Sequence, residues 1–263
     1  MGAKVFIVDS FSGIPFSGNP AGVVMLCEQA SDQWMQSIAK EINLSETAFV
    51  LEQDGKNHLR WFTPITEVDL CGHATLAAAH VLFSRGSDKD RSEVSFDTKS
   101  GPILCHQKNG WVWMRFPKFE FDPLDTLDEI SLAIGSIPIE VFMTGGNIMA
   151  IYDDPGKVVG CRPDLDRIKR IGGQGVIISS HANEEGFDFI SRYFAPNIGI
   201  PEDPVTGSSH SSLAPYWSKR LGKKKMTAKQ VSARGGIIKV NVLDKAIEIG
   251  GQAAFVLAGE ILV

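Results

Sequence analysis

Two short stretches of this 263-residue sequence join a glycine to side chains able to move a proton or hold an anion. One runs Cys71, Gly72, His73, Ala74, Thr75, Leu76, Ala77, Ala78; the other runs Thr206, Gly207, Ser208, Ser209, His210, Ser211, Ser212, Leu213. They lie 206 − 71 = 135 residues apart, and each follows an acidic loop, Glu67, Val68, Asp69 in the first case and Glu202, Asp203, Pro204 in the second. A glycine at a helix start lets a ligand approach the backbone, where free N–H groups and the positive end of the helix favour a carboxylate or enolate oxygen. Two such ends facing each other would hold a small anion between two similarly built halves. Taken singly, either glycine serves as well to shape a tight turn before a buried helix; recurrence at matching places favours the binding reading.

The elements that would position these stretches follow from periodicity. An apolar run from Lys4 to Val8, a turn-rich loop from Ser10 to Asn19 and a run from Ala21 to Leu26 read as two strands and a long connection. Ser31 and Asp32 followed by Met35, Ile38, Ala39 and Ile42 predict a capped amphipathic helix ending near Asn43. Strands are predicted at Thr47 to Glu52 and His58 to Phe62, then a buried alanine-rich helix from Leu70 to Phe83. Further strands follow at Glu93 to Thr98, Pro102 to Gln107 and Trp111 to Phe116, the last two joined by Lys108, Asn109 and Gly110.

Between Pro117 and Asp128 the chain turns acidic and proline-bearing, which places the boundary of two halves there, 1–118 and 119–263, with the closing strand able to cross back to the first. The second half repeats the order: strands at Glu140 to Met143, Ile148 to Tyr152, Gly175 to Ser179 and Asp188 to Phe194, a helix from about Gly207 to Leu221, and three closing strands.

Composition narrows the function. With 43% hydrophobic and 22% charged residues the chain is ordinary globular material, and a net charge of −5 gives no basic face for nucleic acid. The run Lys223, Lys224, Lys225 reads as a solvated loop. No apolar stretch spans a bilayer and Met1 to Asp9 lacks a signal pattern, so a cytoplasmic protein is expected. Cys27, Cys71, Cys105 and Cys161 are scattered without metal-ligand spacing, so neither disulfides nor a structural metal is predicted. Ile171, Gly172, Gly173, Gln174, Gly175 lacks the dinucleotide pattern and reads as a turn.

Four segments together resemble the PhzF-like (phenazine biosynthesis PhzC/PhzF) family. They are Asp9, Ser10, Phe11 through Gly18, Asn19, Pro20, Ala21; Asn43, Leu44, Ser45, Glu46, Thr47, Ala48, Phe49; Cys71, Gly72, His73, Ala74, Thr75; and Glu202, Asp203, Pro204, Val205, Thr206, Gly207, Ser208. The resemblance implies the diaminopimelate epimerase-like α+β fold, two pseudo-symmetric halves, each a strand-rich curved sheet or barrel around a central helix, and a homodimer. It implies Glu46 as catalytic acid/base, His73 and Asp203 as its catalytic companions, and Asn19, Ser45, Gly72, Gly207 and Ser208 as substrate-binding residues.

Apolar flanks at Leu44 and Phe49 would raise the Glu46 pKa by desolvation. His73 at a helix N-terminus would resist protonation, while Asp203 before a proline has a turn or capping role as its alternative. His80 and His210, deeper in their helices, read as packing residues.

The implied activity is a cofactor-independent isomerase that moves a proton on a small cyclic or unsaturated carboxylic acid. Racemases of this fold use two thiols, and the matching pair here is Cys71 and Thr206. A threonine hydroxyl is far too weakly acidic for that task, whereas Cys71 remains a possible thiol base. The alternatives are thus a one-base dehydratase or epimerase using Cys71, or a non-catalytic binding protein on the same fold.

Overall fold

A computed structural model, describing residues 2–85 and 91–263, divides the chain into two compact units, Met1–Arg115 with Gly250–Val263, and Phe116–Ile249. In chain order the first unit contains β1 (Ala3–Ser10), β2 (Asn19–Leu26), α1 (Asp32–Ile42), β3 (Thr47–Gln53), β4 (Lys56–Phe62), β5 (Glu67–Val68), α2 (Gly72–Arg85), β6 (Glu93–Asp97), β7 (Ile103–Lys108) and β8 (Trp111–Pro117). The second contains β9 (Asp122–Pro123), α3 (Leu127–Ile134), β10 (Glu140–Thr144), β11 (Asn147–Tyr152), α4 (Pro155–Val159), α5 (Leu165–Ile171), β12 (Val176–His181), β13 (Phe189–Ala195), β14 (Ile200–Asp203), α6 (His210–Leu221), β15 (Lys225–Gln230), β16 (Gly236–Val242) and β17 (Ala246–Gly251). The last strand, β18 (Ala253–Ile261), pairs antiparallel with β1 and so belongs to the first unit.

The first unit orders its sheet β18-β1-β2-β3-β4-β6-β7-β8. Helix α2 packs against β1, β2, β3, β7 and β18, so the sheet curves around it. Its sequence permits this: from His73 to Ala79 every residue is buried, and four alanines let strands approach on all sides. Helix α1 is one-sided by contrast. Met35, Ile38 and Ala39 pack with Ala3, Val24, Phe49 and Phe62; the Ser31 hydroxyl accepts from the Trp34 N–H at 3.2 Å, and Asn43 ends the helix at φ 53°. The turn at Asn109 and Gly110 has both residues at positive φ, 53° and 75°, as a tight hairpin between right-twisted strands requires.

The second unit orders its strands β9-β10-β11-β12-β13-β15-β16-β17, with β14 alongside β13. The pairing senses repeat those of the first. β2–β3 and β11–β12 are parallel, as are β4–β6 and β13–β15, and each parallel step is bridged by helices. Ile130, Ile148, Ile168, Ile178 and Phe194 anchor its core.

Several expectations shift. Helix α2 begins at Gly72 rather than Leu70, and α6 at His210 rather than Gly207, because Gly207, Ser208 and Ser209 form tight turns whose carbonyls accept from the N–H groups three residues on. The strands after α6 number four rather than three. Helices α3, α4 and α5 were not anticipated; they are only eight, five and seven residues long. The glycine cluster is a turn, with Gly172 and Gly173 at positive φ. Among the described residues no helix is long and apolar enough to cross a membrane.

Candidate active site

Glu46 stands at the head of β3, where its carbonyl accepts from Gly22 N–H at 3.2 Å. Strand alternation sends Phe49 to the α1 side, into the cluster with Met35 and Ile38, whereas the Glu46 side chain meets α2. The apolar flank expected from Phe49 therefore lies on the opposite face of the strand. What meets Glu46 is His73, with Nε2 3.3 Å from Oε2, and the two side chains are 13% and 8% exposed.

His73 is held on three sides. Its Nε2 lies 3.3 Å from Ser45 Oγ, its Nδ1 lies 3.5 Å from Cys71 Sγ, and its carbonyl accepts from the Ser10 hydroxyl at 2.7 Å. Ser10 pairs across the ladder with Asn19, which is fully buried at the start of β2. The residue before it must be glycine: Gly18 has φ +75°, and a Cβ there would stand 2.2 Å from the Ser10 carbonyl oxygen. Ser45, Glu46, Cys71 and His73 thus come together around the entry to α2, with Asn19 joined to them through its ladder partner Ser10. Gly72 opens the helix, whose first-turn N–H groups have no partner within the helix.

Glu46, Cys71 and His73 each bring a ligand-type atom within 4.8 Å of the others. Yet His73 turns Nδ1 to the thiol and Nε2 to the carboxylate, so the two neighbours meet different nitrogens. The imidazole thus stands in contact with both the thiol and the carboxylate within one compact cluster.

The second unit arranges its residues differently. The Thr206 hydroxyl donates to Asp203 Oδ2 at 2.5 Å, while Gln230 Nε2 donates to Thr206 Oγ1 at 3.2 Å and to the Asp203 carbonyl at 2.8 Å. Gln230 Oε1 accepts from Thr206 N–H at 2.9 Å. The turn role suggested by the Asp-Pro pair is therefore present, since Asp203 is braced to Thr206 three residues on. Gly207 is buried and Ser208 exposed. His210 is wholly buried, its Nδ1 2.9 Å from the Thr206 carbonyl and its ring beside Phe189, and burial pushes its pKa down to about 4. His80 packs on Phe255. Both serve as the packing residues expected.

Matching devices set the approach to both helix entries. In the first unit Arg60 on β4 grips Glu67 through two bonds of 2.7 and 2.8 Å; in the second Arg192 on β13 grips Glu202 at 2.7 and 3.0 Å. Each glutamate lies four residues before Cys71 or Thr206. Each guanidinium also covers the phenylalanine two residues on, Phe62 or Phe194. Hydrogen bonds from Arg60 hold the Glu67 carboxyl far down, at about 2, with Lys99 adding to the effect. Glu202 likewise raises the Arg192 pKa.

Sequence reasoning missed these arginines, along with Ser10 as the brace of His73 and Gln230 as the brace of Thr206. Gln230 had a legible signal. Met226, Ala228 and Gln230 share the buried face of β15, and an amide at an inward position needs partners.

The two units also differ where they should match. Glu46 O accepts from Gly22 N–H between β3 and β2, and Gly175 O accepts from Ile148 N–H between β12 and β11, so Gly175 holds the place of Glu46. A Cβ at Gly175 would fall 2.6 Å from the Phe194 carbonyl and 2.9 Å from the Tyr193 ring. The second unit has no room for a side chain there.

Comparison with known proteins agrees with this architecture. A hydroxyproline epimerase from Agrobacterium vitis shares the fold, with a TM-score of 0.60 over 99% of this chain and 92% of that one, at 11% identity. The protein is thus of the α+β class to which epimerases contribute members. The model of the phenazine biosynthesis-like protein family, PhzC-PhzF, matches residues 8–259. A PhzF-family phenazine biosynthesis protein from Enterococcus faecalis superposes with a TM-score of 0.96 at 39% identity, over 100% of both chains. An uncharacterised isomerase of Pseudomonas aeruginosa is 43% identical over 259 residues, 98% of each chain. The chain belongs to the PhzC-PhzF family.

Proposed function

We propose that this protein is a cofactor-independent isomerase that uses Glu46 to take a proton from one carbon of a small cyclic or unsaturated carboxylic acid and return it to another carbon of the same conjugated system. Family membership and the isomerase name carried by its Pseudomonas relative support the reaction class. The observation that carries the assignment to Glu46 is its Oε2 atom, which is buried without a hydrogen bond although His73 is near. A buried acceptor left this way is costly, and a proton-bearing substrate atom would satisfy it.

Two features of the second unit support one base rather than an opposed pair. The place of Glu46 is taken by Gly175, and the Thr206 hydroxyl gives its proton to Asp203 while accepting from Gln230. On this reading His73 steers protons on a ring amine or hydroxyl, and the first-turn N–H groups of α2 attract the substrate carboxylate. Ser45 and Asn19 help hold the substrate; the parts given to Asp203, Gly207 and Ser208 rest on the family resemblance.

A second reading, a dehydratase or epimerase with Cys71 as its base, is favoured by the 3.5 Å approach of the thiol to His73. Proton exchange followed by NMR in D₂O, over a panel of small unsaturated or hydroxylated acids, separates the two. Exchange at carbon that disappears in Glu46→Gln supports the proposal. Exchange that survives Glu46→Gln and disappears in Cys71→Ser transfers the chemistry to the thiol, and no exchange over a broad panel favours a binding protein.

A further inference from the structure

We propose that Cys71, linked through His73 to Glu46, is a reactive thiol that captures soft electrophiles, above all conjugated unsaturated carbonyl compounds. The geometry is a compact cluster, in which the thiol, a ring nitrogen and a carboxylate oxygen all lie within 4.8 Å of one another. Cys71 Sγ lies 3.5 Å from His73 Nδ1, and Nε2 of the same ring faces Glu46 Oε2 at 3.3 Å. Passing the thiol proton to Nδ1 gives a thiolate and an imidazolium, and the carboxylate stands where that positive charge would be met. Cys71 also sits just before Gly72 at the entry to α2, and its carbonyl accepts from Thr75 N–H, so the sulfur lies at the positive end of a helix of 14 residues.

The Glu46 carboxylate is the charged group nearest the thiol, within 4.8 Å of it, with the imidazole in contact with both. Asp69 is exposed two residues earlier, and Glu67 is engaged by Arg60 and Lys99. Asp9, on the neighbouring strand, accepts from Phe16 N–H.

The capture step is a conjugate addition. A bond forms between Sγ and the β-carbon, the C=C π bond opens toward the carbonyl, and the α-carbon takes the proton held by His73. No oxidant or second reagent is needed. The proposal does not depend on Glu46 being the base for the isomerase substrate.

The test is the pH dependence of N-ethylmaleimide addition to the native protein, followed by intact mass and located by peptide mapping. Exposed Cys27 is the internal comparison; Cys71 is itself buried, as are Cys105 and Cys161, whose pKa values burial pushes up to about 12 and about 11. An exposed thiol that reacts in proportion to its thiolate fraction speeds up about 100-fold between about pH 6 and about pH 8.5. The rate at Cys71 is predicted to rise less than about 10-fold over that range. Comparing each site with itself removes the effect of its accessibility. His73→Ala should restore the steep rise at Cys71. A Cys71 profile as steep as that of Cys27 in the native protein, or no addition at Cys71 anywhere in the range, overturns the proposal.

Discussion

Glu46 and Gly175 head equivalent parallel strands, and the difference between them leaves a carboxylate at that place in the first unit alone. One is a buried carboxylate next to an imidazole; the other is a glycine pressed against the Tyr193 ring. The same scale explains Gln230, whose amide satisfies Thr206 N–H, the Thr206 hydroxyl and the Asp203 carbonyl from a site with no exposure. Replacing Gln230 with Leu removes the acceptor of the buried Thr206 N–H while the Thr206 hydroxyl keeps its bond to Asp203, so a loss of about 1–3 kcal/mol is predicted from urea unfolding, the cost of one buried group left unsatisfied. Unchanged stability would mean that water or rearrangement replaces the amide. Glu46 and His73 were legible in the sequence because their motifs are local. The partners of Gln230 lie 24 and 27 residues away, beyond any local motif, and Phe49 flanks Glu46 in sequence only, because three residues along a strand put it on the opposite face.

At the scale of elements, the paired Arg–Glu grips show how a curved sheet holds a helix entry. Each ties a long strand to the two- or four-residue strand that precedes Cys71 or Thr206. For Glu67 the consequence is a stability effect with a definite sign. Its folded pKa, about 2, lies below that of an unfolded glutamate, about 4.3, so its contribution is complete above the higher value and fades as pH falls toward the lower. Thermal unfolding of Glu67→Gln should therefore converge on that of the native protein as pH drops from about 5 to about 2. A difference that persists unchanged at the acid end would contradict this assignment.

Elements were read well where local physics is strong. The Ser31 cap, the turn at Asn109 and Gly110, and the alanine-rich helix all stand where their side chains put them. Helices α4 and α5 were lost because one or two turns carry no periodicity; their visible signs are the Asp154 and Asp164 caps. The entry to α6 slipped by three residues because Gly207, Ser208 and Ser209 favour turns over helix.

Across the whole molecule, one strand order is used twice and equipped differently each time. The repeat at 135 residues was readable from the two glycine-bearing segments, but the matching arginines and the Glu46–Gly175 difference needed strand register to be seen. Two similar scaffolds result, and the cluster of carboxylate, imidazole and thiol stands in the first unit. The central claim is that Glu46 is the acid/base, and the most direct test is single-turnover kinetics of Glu46→Gln with the acid that exchanges, alongside a binding measurement. The expected result is a fall in rate of about 10²- to 10⁴-fold with binding kept within a few-fold of native. A Glu46→Gln protein that binds the acid and turns it over at close to the native rate would contradict it.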